Sequence, residues 1–155
     1  MEKALIRHNY SGRNGEKIRY IVVHDTGNPS KGAGARNHFI YFDKPGRNAS
    51  AHYFVDSKEI LQLVEDVNAA WHCGDGRRKF GVTNRNSIGV ELCVNSDGDW
   101  ETTKKNAIEL IKLLLYRHGL RKERVIRHFD ASLKLCPGRM ALMGWREWTR
   151  FYDEI

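Results

Sequence analysis

A chain of 155 residues, 41% hydrophobic and 29% charged, has the size and balance of one globular domain. No apolar run approaches the roughly 18 residues of a membrane span, which excludes a membrane-inserted organisation by helices. The formal net charge of +7 favours polyanionic partners such as nucleic acid, anionic lipid or acidic wall polymers, without choosing among them.

The first eight residues lack the apolar stretch of a signal peptide, so the expectation is a protein folded in the cytoplasm, or one whose leader has been removed. Residues 18–23 form an apolar run that predicts a buried strand ending at His24, with Asp25-Thr26-Gly27-Asn28-Pro29 as a turn. Residues 35–42 predict a helix, with Pro45-Gly46 just beyond its end. Residues 52–55 and 60–64 predict two strands joined as a hairpin through Asp56-Ser57-Lys58-Glu59. Residues 69–86 read as a long loop, a length usually kept for function. Residues 88–94 predict a strand with Ile88, Val90, Leu92 and Val94 on one face and Gly89, Glu91 and Cys93 on the other. Residues 103–118 predict an amphipathic helix stopped by Gly119. A short strand at 125–127 ends at His128, and residues 139–152 predict a last helix carrying Leu142, Trp145, Trp148 and Phe151. This order predicts an α/β fold with a central mixed β-sheet, one domain over residues 1–155. Neither a phosphate-binding nor a dinucleotide-binding glycine loop is present, since Gly32-Ala33-Gly34 lacks the partners of both.

Three cysteines, Cys73, Cys93 and Cys136, are odd in number and widely spaced, which reads as one functional thiolate and not as a disulfide framework. Seven histidines are many for this length, and His24 and His128 fall where apolar strands end. Cys136 follows His128 by eight residues. Two imidazoles and a thiolate are zinc donors, and three protein ligands leave a fourth position open, as catalytic sites do. Taken singly, a strand-end histidine is more often a hydrogen-bonded structural residue. Glu91 is a lone carboxylate flanked by Gly89 and Cys93. It reads equally as a base for a metal-activated water or as an edge glutamate facing solvent. Lys134, two residues before Cys136, reads as an oxyanion partner or as a plain surface charge.

The blocks Val22-Val23-His24-Asp25-Thr26-Gly27, Ser50-Ala51-His52-Tyr53-Phe54-Val55, Ala70-Trp71-His72-Cys73-Gly74, Ser87-Ile88-Gly89-Val90-Glu91 and His128 through Cys136-Pro137-Gly138-Arg139 occur in that order. Together they resemble the type-2 N-acetylmuramoyl-L-alanine amidases, whose fold is shared with phage lysozyme-amidases and peptidoglycan recognition proteins. The resemblance implies a central mixed sheet flanked by helices and one zinc ion on His24, His128 and Cys136. It implies Glu91 as the catalytic acid, Lys134 as catalytic lysine, and Thr26, Trp71 and His72 as substrate contacts, with His52 either a further contact lining the site or a residue that merely packs there. Cys73 becomes a small wall residue of the cleft. His52 stands where many relatives carry a catalytic tyrosine, and Tyr53 faces the other side of its strand.

The expected activity is cleavage of the amide between N-acetylmuramic acid and L-alanine in peptidoglycan. The setting it suggests is a phage or prophage endolysin acting on the wall after release, with a bacterial autolysin or recycling amidase as alternatives. No wall-binding domain is expected within these residues, and the basic charge suits anionic wall polymers. A non-catalytic peptidoglycan-binding module is disfavoured because such relatives lose the metal cysteine. A nucleic-acid binder is disfavoured because the basic residues form no recognition-helix or aromatic-strand pattern.

Overall fold

The computed structural model describes residues 1–155. In chain order the elements are β1 (Glu2–Lys3), β2 (Tyr10–Gly12), β3 (Tyr20–Asp25), α1 (Ala35–Phe42), β4 (Tyr53–Val55), β5 (Ile60–Gln62), β6 (Asn68–Ala70), β7 (Ser87–Leu92), α2 (Trp100–His118), β8 (Val125–Arg127), α3 (His128–Ser132) and α4 (Gly138–Asp153). Six strands form one sheet in the order β1-β5-β4-β7-β3-β8, while β2 and β6 make a separate two-stranded ribbon. β4, β7, β3 and β8 run parallel, and β5 is antiparallel to β4, so the sheet is mixed as expected.

The alternation along β3 and β7 decides what each face carries. Ile21, Val23, Ile88, Val90 and Leu92 point to one face and are buried under α2 and α4 by Ile111, Leu114, Met140 and Phe151. On the other face, β4 and β5 pack against α1 through Phe54, Leu61 and Ala35. Beside that second core, Val22 packs with Cys73, Val82 and Ala131. Helix α2 starts at Trp100, because the Asp99 carboxylate accepts the Thr102 N–H at 2.7 Å, and it ends at Gly119 with φ 60°. No helix is long and apolar enough to cross a membrane.

The structure shifts several expected boundaries. β3 runs from Tyr20 to Asp25, paired residue for residue with β7, so His24 lies within the strand and not beyond its end. The expected loop at 69–86 contains β6, which pairs with β2, and two short 3-10 turns at Gly74–Gly76 and Asn84–Asn86. The last helix is broken: Leu142 has ψ 145°, and Met143, Gly144 and Trp145 adopt φ of 55°, 69° and 67°. The break turns Leu142 and Met143 out to 68% and 77% exposure, instead of laying Leu142 on the core with Trp148 and Phe151.

Candidate metal centre and active site

The parallel register of β3 and β7 sets His24 beside Glu91 and Val22 beside Gly89. Neighbouring strands lie about 4.8 Å apart, so both functional side chains rise together from one face of the sheet. Glu91 Oε1 is 3.8 Å from His24 Nδ1. The lone glutamate therefore faces the site and is not an edge residue in solvent.

The other two donors come from one local fold. β8 delivers its chain to His128, the first residue of α3. Leu133 ends that helix in the left-handed region at φ 67°, its N–H on the Phe129 carbonyl. The chain then doubles back, with Phe129 N–H donating to the Cys136 carbonyl at 2.9 Å and Cys136 N–H to the Lys134 carbonyl at 2.7 Å. That reversal brings Cys136 to His128 and both to His24. The donor atoms of His24, His128 and Cys136 lie within 4.8 Å of one another, and Cys136 Sγ is 3.8 Å from His24 Nδ1.

The chemistry of these atoms fits a cation. His128 Nε2 is 2.8 Å from Asp75 Oδ1, whereas its Nδ1 is buried without a partner. A buried, bare imidazole nitrogen is costly unless something accepts its lone pair. Burial pushes His24 well below its ordinary 6.5, helped by His128 and Lys134, so the ring is a neutral donor. Burial lowers His128 too, against the opposing pull of Asp75. Burial and then the nearby Glu91 raise the Cys136 thiol, so a thiolate there needs a positive neighbour. Two imidazoles and one thiolate suit zinc. Glu91 itself is raised to about 8, first by burial and then by Asp25, with Lys134 opposing. Its Oε2 is buried and unpartnered.

Asp75 was not singled out by the sequence. It sits in the 3-10 turn Gly74–Gly76 and also receives the Ser132 hydroxyl at 3.2 Å. The turn rests on α3 because Gly76 has no Cβ; one built there would fall 2.2 Å from the Ala131 carbonyl oxygen. The only sequence signal was an acidic residue inside a long polar loop.

Asn48, Trp71, His72, Asp75, His128 and Lys134 line one opening, which reaches the donor cluster at His128. Trp71, His72 and Lys134, which the family resemblance singled out, share that opening with His128. Lys134 is exposed and its ammonium has no carboxylate partner. Thr26 lies elsewhere: it accepts the Val94 N–H at 3.4 Å and lines a separate hollow against α1 with His38 and Tyr41.

The expectation that His52 touches substrate is not met. The residue is 0% exposed. Its Nδ1 accepts the Gly89 N–H at 3.0 Å, and its Nε2 lies 3.1 Å from the Asn68 carbonyl. Burial lowers it to about 3, so it is a neutral cross-link between β7 and β6. Tyr53 faces the opposite side of the sheet, where its hydroxyl donates to Asp66 at 2.7 Å. Arg13, also missed, lies buried beside His52 and donates to the carbonyls of Asp66 at 2.7 Å and Ser87 at 3.0 Å. It clamps the segment that carries Trp71 and His72 onto the start of β7.

A mixed α/β fold that brings His24, His128 and Cys136 together beside the half-buried Glu91 has a donor set that could hold a metal ion. Residues 14–139 match the family described as N-acetylmuramoyl-L-alanine amidase, and the chain belongs to that family. It is 40% identical over 136 residues to the N-acetylmuramoyl-L-alanine amidase CwlH of Bacillus subtilis, a match covering 88% of this chain and 52% of CwlH. It is 40% identical over 121 residues to the N-acetylmuramoyl-L-alanine amidase XlyA of the same organism, covering 78% of this chain and 40% of XlyA. The chain therefore spans about half the length of the relatives it matches, or less. Among solved structures, a mutant endolysin from Bacillus subtilis superposes with a TM-score of 0.88 at 36% identity, covering 99% of this chain and 96% of that one. The catalytic domain of XlyA gives 0.80 at 34% identity, covering 97% and 98%.

Proposed function

We propose that this chain is a zinc-dependent catalytic domain that hydrolyses the amide joining the lactyl group of N-acetylmuramic acid to L-alanine in peptidoglycan. The observation that carries the reading is the convergence of His24 Nδ1, Cys136 Sγ and the unpartnered His128 Nδ1, with the Glu91 carboxyl against them. Family membership and the likeness to an endolysin and to the catalytic domain of XlyA support the substrate.

Zinc on His24, His128 and Cys136 would supply a Lewis acid that acidifies water and polarises the scissile carbonyl. Glu91 handles the proton. Its buried carboxylate takes one from the attacking water as the new C–O bond forms, and gives it to the L-alanine nitrogen as the C–N bond breaks. Burial makes it a stronger base than an exposed glutamate, and a nearby cation draws it back toward ionisation. Lys134, at the mouth of the same opening, faces the negative charge that develops on the carbonyl oxygen. Trp71 and His72 form the wall against which the glycopeptide lies.

In setting, the domain is an endolysin-type wall hydrolase, and its net charge of +7 draws it toward anionic wall polymers. The test is digestion of purified cell walls by chelator-treated protein reloaded with graded zinc. The reading requires new L-alanine amino termini in proportion to zinc, with no new reducing sugar ends. Reducing ends without amino termini, or activity indifferent to zinc, would overturn it.

A further inference from the structure

The hydrogen bonds behind His24 run in one direction only. Ser87 Oγ makes a short contact with the Thr83 carbonyl, and a carbonyl only accepts, so the single hydroxyl proton of Ser87 is committed there. The Ser87 lone pairs are left to accept, and His72 Nε2 lies 3.1 Å away. A neutral imidazole that donates from Nε2 has a bare Nδ1, and His72 Nδ1 lies 3.0 Å from His24 Nε2. His24 must then donate from Nε2, which leaves its own Nδ1 bare. That is the nitrogen 3.8 Å from Cys136 Sγ and 3.8 Å from Glu91 Oε1.

We propose that His72 and Ser87 are positioning residues for His24: their hydrogen bonds hold its ring as the tautomer protonated on Nε2, with the Nδ1 lone pair turned into the donor cluster. His128 reaches the same state by a different device, since the Asp75 carboxylate only accepts and so fixes the proton on Nε2. One ligand is thus oriented by a carboxylate and the other by a serine–histidine chain. The assignment rests on the zinc reading of the cluster given above.

Packing independently fixes the His72 ring in this place. Gly89 lies directly beneath it, and a Cβ on Gly89 would come within 2.6 Å of His72 Cγ and 2.8 Å of its Nδ1. The Asn84 side-chain oxygen accepts the N–H groups of both His72 and Cys73, at 3.0 and 2.8 Å, and pins the backbone. The His52 ring closes on it from behind at 5.7 Å between centroids. The glycine of the Ser-Ile-Gly-Val-Glu block therefore makes room for the ring that orients His24.

The test compares His72→Phe, which keeps a flat ring but has no acceptor, with His72→Asn, which returns an acceptor oxygen near the Nδ1 position. Zinc affinity is read by competition with a chromophoric chelator. Loss of an outer hydrogen bond to a ligating histidine typically costs about 10- to 100-fold in metal affinity, so His72→Phe should fall by that much and His72→Asn by no more than about threefold. Equal losses in the two variants would reduce His72 to packing, and an unchanged His72→Phe would overturn the proposal. A second arm needs no variant and no metal: long-range nitrogen–proton spectra of the zinc-free protein should show Nε2–H on His24, His72 and His128. A proton on Nδ1 of His24 would overturn it. The arms separate the two readings, because zinc binding with the wrong tautomer sinks the chain alone. The right tautomer in a protein that takes up no zinc sinks the zinc reading alone.

Discussion

Replacing Glu91 with Gln keeps the side-chain shape and removes the titrating group, and it should move activity and stability in opposite directions. Removing a positioned acid–base group costs about a hundred- to ten-thousand-fold in rate. That is about 2.7–5.5 kcal/mol of barrier. Stability follows from the carboxyl's surroundings. In the zinc-free protein its Oε2 is buried without a partner, and burial holds the group near 8 against an ordinary 4.5. The folded state therefore keeps a proton that the unfolded chain releases. Below about pH 4.5 both states hold it and there is no penalty; the penalty grows between about 4.5 and 8 and is complete above. Its ceiling is about 5 kcal/mol, and the 18% of the side chain open to the cleft trims it to a few. Gln carries no such term. Denaturant unfolding of chelator-treated protein at pH 5 and pH 8.5 should thus show wild type and Glu91→Gln nearly equal at the lower pH, with the variant ahead by a few kcal/mol at the higher. Wall digestion by the zinc-loaded variant should be lost. A stability gap that does not change with pH would deny Glu91 its raised proton affinity, and a variant that still digests walls at the wild-type rate would deny it the acid–base role.

Three further outcomes are expected. Because burial and Glu91 keep the Cys136 thiol protonated in the zinc-free protein, zinc uptake should release at least one proton, and apparent affinity should rise about tenfold per pH unit between pH 6 and 8. Calorimetry in buffers of different ionisation heat reads this directly, and pH-independent binding would contradict it. Asp66 collects the Tyr53 hydroxyl at 2.7 Å, His118 at 2.9 Å and Arg117 at 3.2 Å, so Asp66→Asn should cost about 2–4 kcal/mol in unfolding experiments. Burial raises the Asp66 carboxyl, but the bonds from Tyr53 and His118 outweigh it and hold it below its ordinary value. The wild-type advantage should therefore persist above about pH 4 and fade as pH drops through that lowered value; a gap that widens in acid would contradict it. Lys134→Met should slow wall digestion about 10- to 1000-fold while leaving zinc content and unfolding unchanged, since the exposed ammonium has no partner to lose. Unaltered turnover would reduce Lys134 to a surface charge.

The parts of this protein that a periodic pattern specifies were legible in the sequence. The helix at Ala35–Phe42, the strand at Val125–Arg127 and the alternation through Ile88, Val90 and Leu92 appear as expected. The strands at Glu2–Lys3 and Tyr10–Gly12 carry no apolar run of their own and exist because partners distant in sequence pair with them. The break at Leu142–Trp145 was hidden because the flanking spacing is helical on both sides. At the site, residue types offered His24, His128 and Cys136 as one plausible donor set, but only the register of β3 on β7 sets Glu91 beside His24. His52 shows the converse: a histidine inside a recognisable block reads as a substrate contact until its two backbone bonds place it in the interior. Asp75 and Ser87 were invisible because an outer partner is defined by what lies across the fold from it, 53 residues away for Asp75 and His128.

Three protein donors should leave one zinc position open to solvent. X-ray absorption at the zinc edge of the reloaded protein tests it most directly. The expected shell is one sulfur at about 2.3 Å, two imidazole nitrogens at about 2.0–2.1 Å and one further light atom from solvent. Cys136→Ser should remove the sulfur shell. Two or more sulfurs, no sulfur, or a third imidazole closing the shell would contradict it.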